Sequence, residues 1–148
     1  MEKACCGFGH RFVLENIAPA HKKEVARAVK EGCRVFYTGA QGDFDTCFTE
    51  AVRAVIAENK QLPLRLICVK PYYTQSLQEN REYYETKFAE VLIPSVLEDV
   101  HYKAAISKRN QWMIEKSDIV ITYTIREYGG AYQALCYAQK QGKDIRQI

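Results

Sequence analysis

Apolar positions along this chain fall into short blocks of two kinds, and the kinds alternate. Some blocks are near-continuous runs rich in β-branched and aromatic residues: a short one at 4–6, RVFYT at 34–38, LRLICV at 64–69 and DIVITY at 118–123. Such runs suit strands covered on both faces. Others repeat with helical spacing. Phe48, Ala51, Val52, Val55 and Ile56 form an i, i+3, i+4, i+7, i+8 stripe, with Glu50, Arg53 and Glu58 on the opposite face. Further helices are predicted over 19–31, where Pro19 sits in the first turn and Gly32 acts as the stop, over 102–116, and over 131–140 with Gly142 beyond it. Short strands are expected at 91–93 and 144–148. The polar, tyrosine-rich segment after Pro71 reads as a loop and short helix outside the sheet.

Strands alternating with helices imply right-handed βαβ crossovers. The expected fold is α/β: a single Rossmann-like domain over 1–148, with a mostly parallel sheet and helices on both faces. A length of 148 residues allows one domain with a real core. The 47% apolar and 26% charged fractions are those of a soluble globular protein, and a net charge of +3 does not argue for a nucleic-acid binder. No apolar run is long enough to cross a bilayer. The N-terminal dozen residues lack the apolar segment of a signal peptide, so a cytoplasmic setting is expected. The six cysteines include no CxxC pair, which leaves no metal-site signature and favours reduced thiols acting as small core residues. No cofactor motif is present.

Ligands of open parallel sheets bind beyond the carboxyl ends of the strands. Three glycine-bearing turns are expected there: GFGHR (7–11), GAQGDFD (39–45) and YGGAY (128–132). Each can be a plain turn, but together they suggest a ligand crevice lined by Gly7, Gly9, Gly39, Gly42, Gly129 and Gly130. Arg11 can fork onto a phosphate. His10 either hydrogen-bonds a sugar or phosphate or is a capping or surface histidine. Asp43 and Asp45 read first as helix caps and second as acceptors for ribose hydroxyls. On the 102–118 helix, Ile106, Asn110 and Met113 share one face with Arg109 beside it, so Asn110 needs a polar partner. Tyr72, Tyr73, Tyr83 and Tyr84 can stack on a base or make subunit contacts, with packing slightly favoured.

The order GHR, GAQGDFD, KRNQWM (108–113), SDIVI (117–121) and GGA resembles the SLOG superfamily over nearly the whole chain. That group includes the LOG cytokinin-activating nucleotide hydrolases and the DNA-processing protein DprA, and the likeness is greatest to its YpsA-like bacterial branch. In LOG enzymes an ERKxxM motif leads through SDAFI to PGGxGTxxE. The resemblance therefore implies that Arg109 contacts substrate and that Gly129 and Gly130 form the phosphate loop. Two departures stand out: Asn110 replaces the lysine of ERK, and GGAYQALCYA carries no glutamate where the family's catalytic acid belongs.

The expected function is binding of a nucleotide or nucleotide-derived ligand, as a sensor or regulatory domain. The alternative is a nucleoside phosphoribohydrolase or deoxyribosyltransferase, for which Asp43, Asp45 or Glu127 must supply the carboxylate. A single-stranded nucleic-acid binder is less favoured, and a homodimer is expected from the resemblance and the tyrosine content.

Overall fold

The computed structural model describes residues 2–148. Six parallel strands form one sheet in the order β4-β3-β2-β1-β5-β6. They are β1 (Lys3–Gly9), β2 (Cys33–Thr38), β3 (Arg65–Val69), β4 (Glu90–Leu92), β5 (Ile119–Tyr123) and β6 (Asp144–Gln147). The expected α/β Rossmann-like architecture is what is found. Its helices are α1 (Ala18–Lys30), α2 (Asp43–Glu58), the short α3 (Gln75–Glu79) and α4 (Arg81–Lys87), α5 (Tyr102–Glu115) and α6 (Gly130–Lys140).

Alternation along β1 explains how one strand serves two layers. Cys5 belongs to the core beneath α1 and α2, with Phe36, Phe44, Phe48 and Val52. Its neighbour Cys6 belongs to the opposite core beneath α5 and α6, with Met113, Ile114, Leu135 and Ala138. Every residue of β5 is buried, as its apolar run demands, whereas the edge strands β4 and β6 are largely open. All six cysteines are free thiols. Cys5, Cys6, Cys33 and Cys68 are core residues, and burial pushes the Cys6 thiol up to about 12.

Chain order places the switch point of this sheet. From β1 the chain moves outward through β2, β3 and β4, then returns to lay β5 on the other side of β1. Crossovers on the two sides carry their helices to opposite faces, so a crevice opens above the carboxyl ends of β1 and β5.

The first of the expected glycine turns is not a turn. Gly7 and Gly9 lie within β1, which runs longer than its apolar core suggests. A β-carbon at Gly7 would stand 2.6 Å from the Phe48 ring, and one at Gly9 would stand 2.5 Å from Phe44. These glycines let two α2 aromatics lie flat on the strand. Asp43 and Asp45 are likewise not the α2 caps. The capping position belongs to Gly42, and both carboxylates sit in the first turn.

A cleft above the β1–β5 switch point

Two of the rim loops close on each other. The α2 amide of Asp43 donates to the Arg11 carbonyl at 2.8 Å, and that of Phe44 donates to the His10 carbonyl at 3.3 Å. Asp43 answers by accepting the Val13 amide on Oδ2 at 2.9 Å. Gly42 has φ +95°, and a β-carbon there would meet the Arg11 backbone at 2.7 Å. Two first-turn amides of α2, those of Asp43 and Phe44, are therefore engaged by protein carbonyls. The crevice wall expected at Gly39 and Gly42 is packed from within, by Arg109 and Arg11.

The third loop is open. Gly129 (φ +91°) precedes α6, and a β-carbon on Gly129 or Gly130 would meet nothing within 4 Å. Among the described residues no acceptor faces the amides of Gly130, Ala131 or Tyr132. Gly130 and Ala131 front a cleft of about 420 Å³ whose lining includes Gly7, Gly9, His10, Arg11, Asp45, Arg109, Asn110, Gly129 and Gly130. Gly39, Gly42 and Asp43 stand behind its wall rather than in it. Arg11 and Arg126 have no ion-pair or hydrogen-bond partner among the described residues for their guanidinium groups. With Arg109 they give the cleft three cations against one carboxyl, Asp45.

His10 is nearly fully buried, and its Nε2 accepts the amides of Ile125 (2.9 Å) and Arg126 (3.4 Å). The lone pair must therefore be on Nε2, and the ring is neutral. Burial, with the Arg126 charge adding to it, holds the imidazole below its ordinary pKa. His10 is therefore not a surface histidine, and its geometry is that of a local cap: it pins the loop that carries Arg126, Tyr128 and the two glycines.

Arg109 is only 3% exposed. Its Nη1 donates to the Val69 carbonyl at 2.8 Å, its Nη2 to Gln41 Oε1 at 3.3 Å and its Nε to Asn110 Oδ1 at 2.9 Å. The polar partner that Asn110 requires is thus its own neighbour. A guanidinium has five N–H groups, so two remain for a ligand. Behind it, Lys70 Nζ donates to the carbonyls of Gly39 (3.1 Å) and Ala40 (3.3 Å), and burial lowers its pKa.

Asp45 is 7% exposed and lines the cleft. Its Oδ2 accepts the Gln41 amide at 2.9 Å, and no other hydrogen bond reaches this carboxyl among the described residues. Burial pushes its pKa up to about 6, against the lowering effect of that bond and of Arg109, Lys70 and Arg11. A carboxyl with one oxygen held, one oxygen free and a pKa near neutrality can accept from sugar hydroxyls or move a proton.

Several lining residues escape sequence reasoning. Arg126, Tyr128 and Gln41 flank recognised glycines, so distance from the strand ends is a usable signal for them. Phe12 has no such signal. Of the four tyrosines for which base stacking and packing are both open from the sequence, none lines the cleft. Tyr84 packs on Phe88, and Tyr73 and Tyr83 lie exposed on the α3–α4 side.

No protein-family model and no curated protein matches the chain. Solved structures do. DNA processing protein A from Streptococcus pneumoniae superposes with a TM-score of 0.67 at 17% identity, over 99% of this chain and 50% of that one. The Helicobacter pylori protein of the same name, described for its single-stranded DNA binding mode, gives 0.67 at 17% identity, over 98% of this chain and 64% of that one. The molybdenum cofactor binding protein of Rippkaea orientalis gives 0.61 at 15% identity, over 99% and 76%. The chain thus has the fold that the SLOG resemblance implies, and it spans about half to two-thirds of the length of the two DNA processing proteins.

Proposed function

We propose that the cleft above β1 and β5 binds a nucleotide or nucleotide-derived ligand, with its phosphate on the first turn of α6 between Arg11 and Arg126. The observation that carries this reading is the contrast between two helix starts on one rim. Two of the first-turn amides of α2 are engaged by His10 and Arg11 carbonyls, whereas among the described residues no first-turn amide of α6 has a partner, and two arginines without ion-pair partners stand beside them. Amides and dipole at a helix start favour an anion, and guanidinium groups add forked donors. A volume of about 420 Å³ suits a small ligand rather than a macromolecule. The absence of a glutamate after Gly130 favours a sensor or regulatory domain over a hydrolase, and the buried free thiols support a cytoplasmic setting. Calorimetry with a panel of nucleoside phosphates is the test. Binding that is lost in Arg126→Ala supports the site, and no heat across the panel sinks it.

Asp45 favours a second reading, cleavage or transfer at an N-glycosidic bond. Release of free base from a nucleoside monophosphate, abolished in Asp45→Asn, would establish it. Single-stranded nucleic acid, the ligand of the Helicobacter pylori protein, is a third candidate against which the mild net charge weighs. A salt-dependent gel shift with an oligonucleotide separates it from the first two.

A further inference from the structure

We infer that Phe12 and Tyr128 are the side chains on which the planar base of the ligand in this cleft stacks. The inference rests on the anion site proposed above and adds the side chains that hold the base.

Phe12 comes from the loop between β1 and α1, and Tyr128 from the loop between β5 and α6. Both line the cleft, although they are 78% and 70% exposed. Neither ring takes part in an aromatic pair among the described residues. By contrast Phe44, Phe48, Tyr37 and Trp112 all pack on other rings. An aromatic ring left in water forgoes a large burial gain, and two at one polar cleft mark a surface made to be covered.

Both rings are carried on fixed backbone. The residues on either side of Phe12 are tied to α2, through the Arg11 carbonyl to the Asp43 amide and the Val13 amide to the Asp43 carboxylate. Tyr128 lies between the Ile125 and Arg126 amides, held by His10, and the start of α6. Rings held this way lose little freedom when a flat partner enters, and every nucleobase offers a π-face. The chain order sets the ligand's layout. Tyr128 adjoins Gly129 and Phe12 adjoins Arg11, so the stacking surfaces flank the phosphate seat. The free oxygen of Asp45 provides an acceptor for sugar hydroxyls in the same cleft.

The test compares ribose 5-phosphate with the four common ribonucleoside 5′-monophosphates by calorimetry, on the wild-type chain and on Phe12→Ala/Tyr128→Ala. In the wild type, at least one nucleotide is expected to bind more tightly than ribose 5-phosphate. The double variant should lose on the order of ten-fold or more of that nucleotide's affinity, the scale of base stacking on aromatics. It should keep its affinity for ribose 5-phosphate, and Tyr128→Phe should behave as wild type. Both rings are exposed, so the double variant keeps its fold, which an unchanged melting temperature verifies. Equal affinity for ribose 5-phosphate and all four nucleotides overturns the stacking role and leaves the anion site standing. Equal losses for both ligand kinds in the double variant do the same. No binding of any of the five overturns the anion site and the stacking role with it.

Discussion

The guanidinium of Arg109 lies over Gly39, so close that a β-carbon on that glycine would stand 2.6 Å from Nη1. The arginine reaches from α5 across the end of β3, where it bonds the Val69 carbonyl, to Gln41 in the loop ahead of α2. Gly39 is thus required by a side chain of the protein rather than by a ligand. The buried charge holds three rim segments together.

Gly39→Ala is expected to destabilise the fold by about 1–3 kcal/mol, the range for forcing a methyl into a packed site. Urea unfolding measures this. In an Arg109→Met background the same alanine should be markedly less harmful, because the group it displaces has gone. Strict additivity of the two changes would show that Gly39 is there for another reason.

The alternation of apolar runs and stripes carried the fold, because burial on both faces of a parallel sheet leaves a local signature. β5 and α2 are legible for that reason. The glycines were harder to read. Nothing local separates Gly7 and Gly9 from turn residues, since the cause of their small size is Phe48 and Phe44 on a helix formed later in the chain. Gly39 hides its cause in the same way. Gly129 and Gly130 are legible as the joint between β5 and α6 because they interrupt a strong strand–helix succession. Phe12 carries no local signal, and only its place on the cleft wall distinguishes it.

Gly130→Ala separates stability from binding. Gly130 opens α6 with ordinary helical backbone and free space around it, so alanine is expected to raise stability by about 0.5–1 kcal/mol. The methyl enters the cleft beside the phosphate seat, so affinity for phosphorylated ligands should fall. Thermal melts and calorimetry on one preparation check both halves. A variant that binds as well as wild type would remove α6 from the site.

His10 predicts a pH response of the third loop. Its pKa is depressed in the folded state, so the neutral form that accepts from Ile125 and Arg126 is the favoured one. Stability from this arrangement is present above the unfolded histidine value of about 6.5, and it declines as pH falls through that value. The amide resonances of Ile125 and Arg126 should therefore move together on acidification, with a midpoint below 6.5. His10→Phe should shift them already at neutral pH. Amides that stay still through the histidine titration would contradict the assignment.

Asp45 predicts the opposite slope. Its folded pKa of about 6 lies above the unfolded value near 3.8, so the protonated form belongs to the fold. The carboxyl then destabilises progressively as pH rises from about 4 to about 6, by on the order of 3 kcal/mol at completion. His21, buried without a partner for Nε2 and lowered to about 4, gains stability with rising pH over much of the same window. Wild-type stability alone therefore mixes the two trends, and the difference between Asp45→Asn and wild type isolates one. Asparagine keeps an acceptor for the Gln41 amide and does not titrate. Its advantage in urea unfolding should be small at pH 4, grow through pH 6 and stay level above pH 7. An advantage that is independent of pH would mean that Asp45 is ionised throughout. A buried carboxylate kept at such a stability cost is what a binding or proton-transfer role would explain.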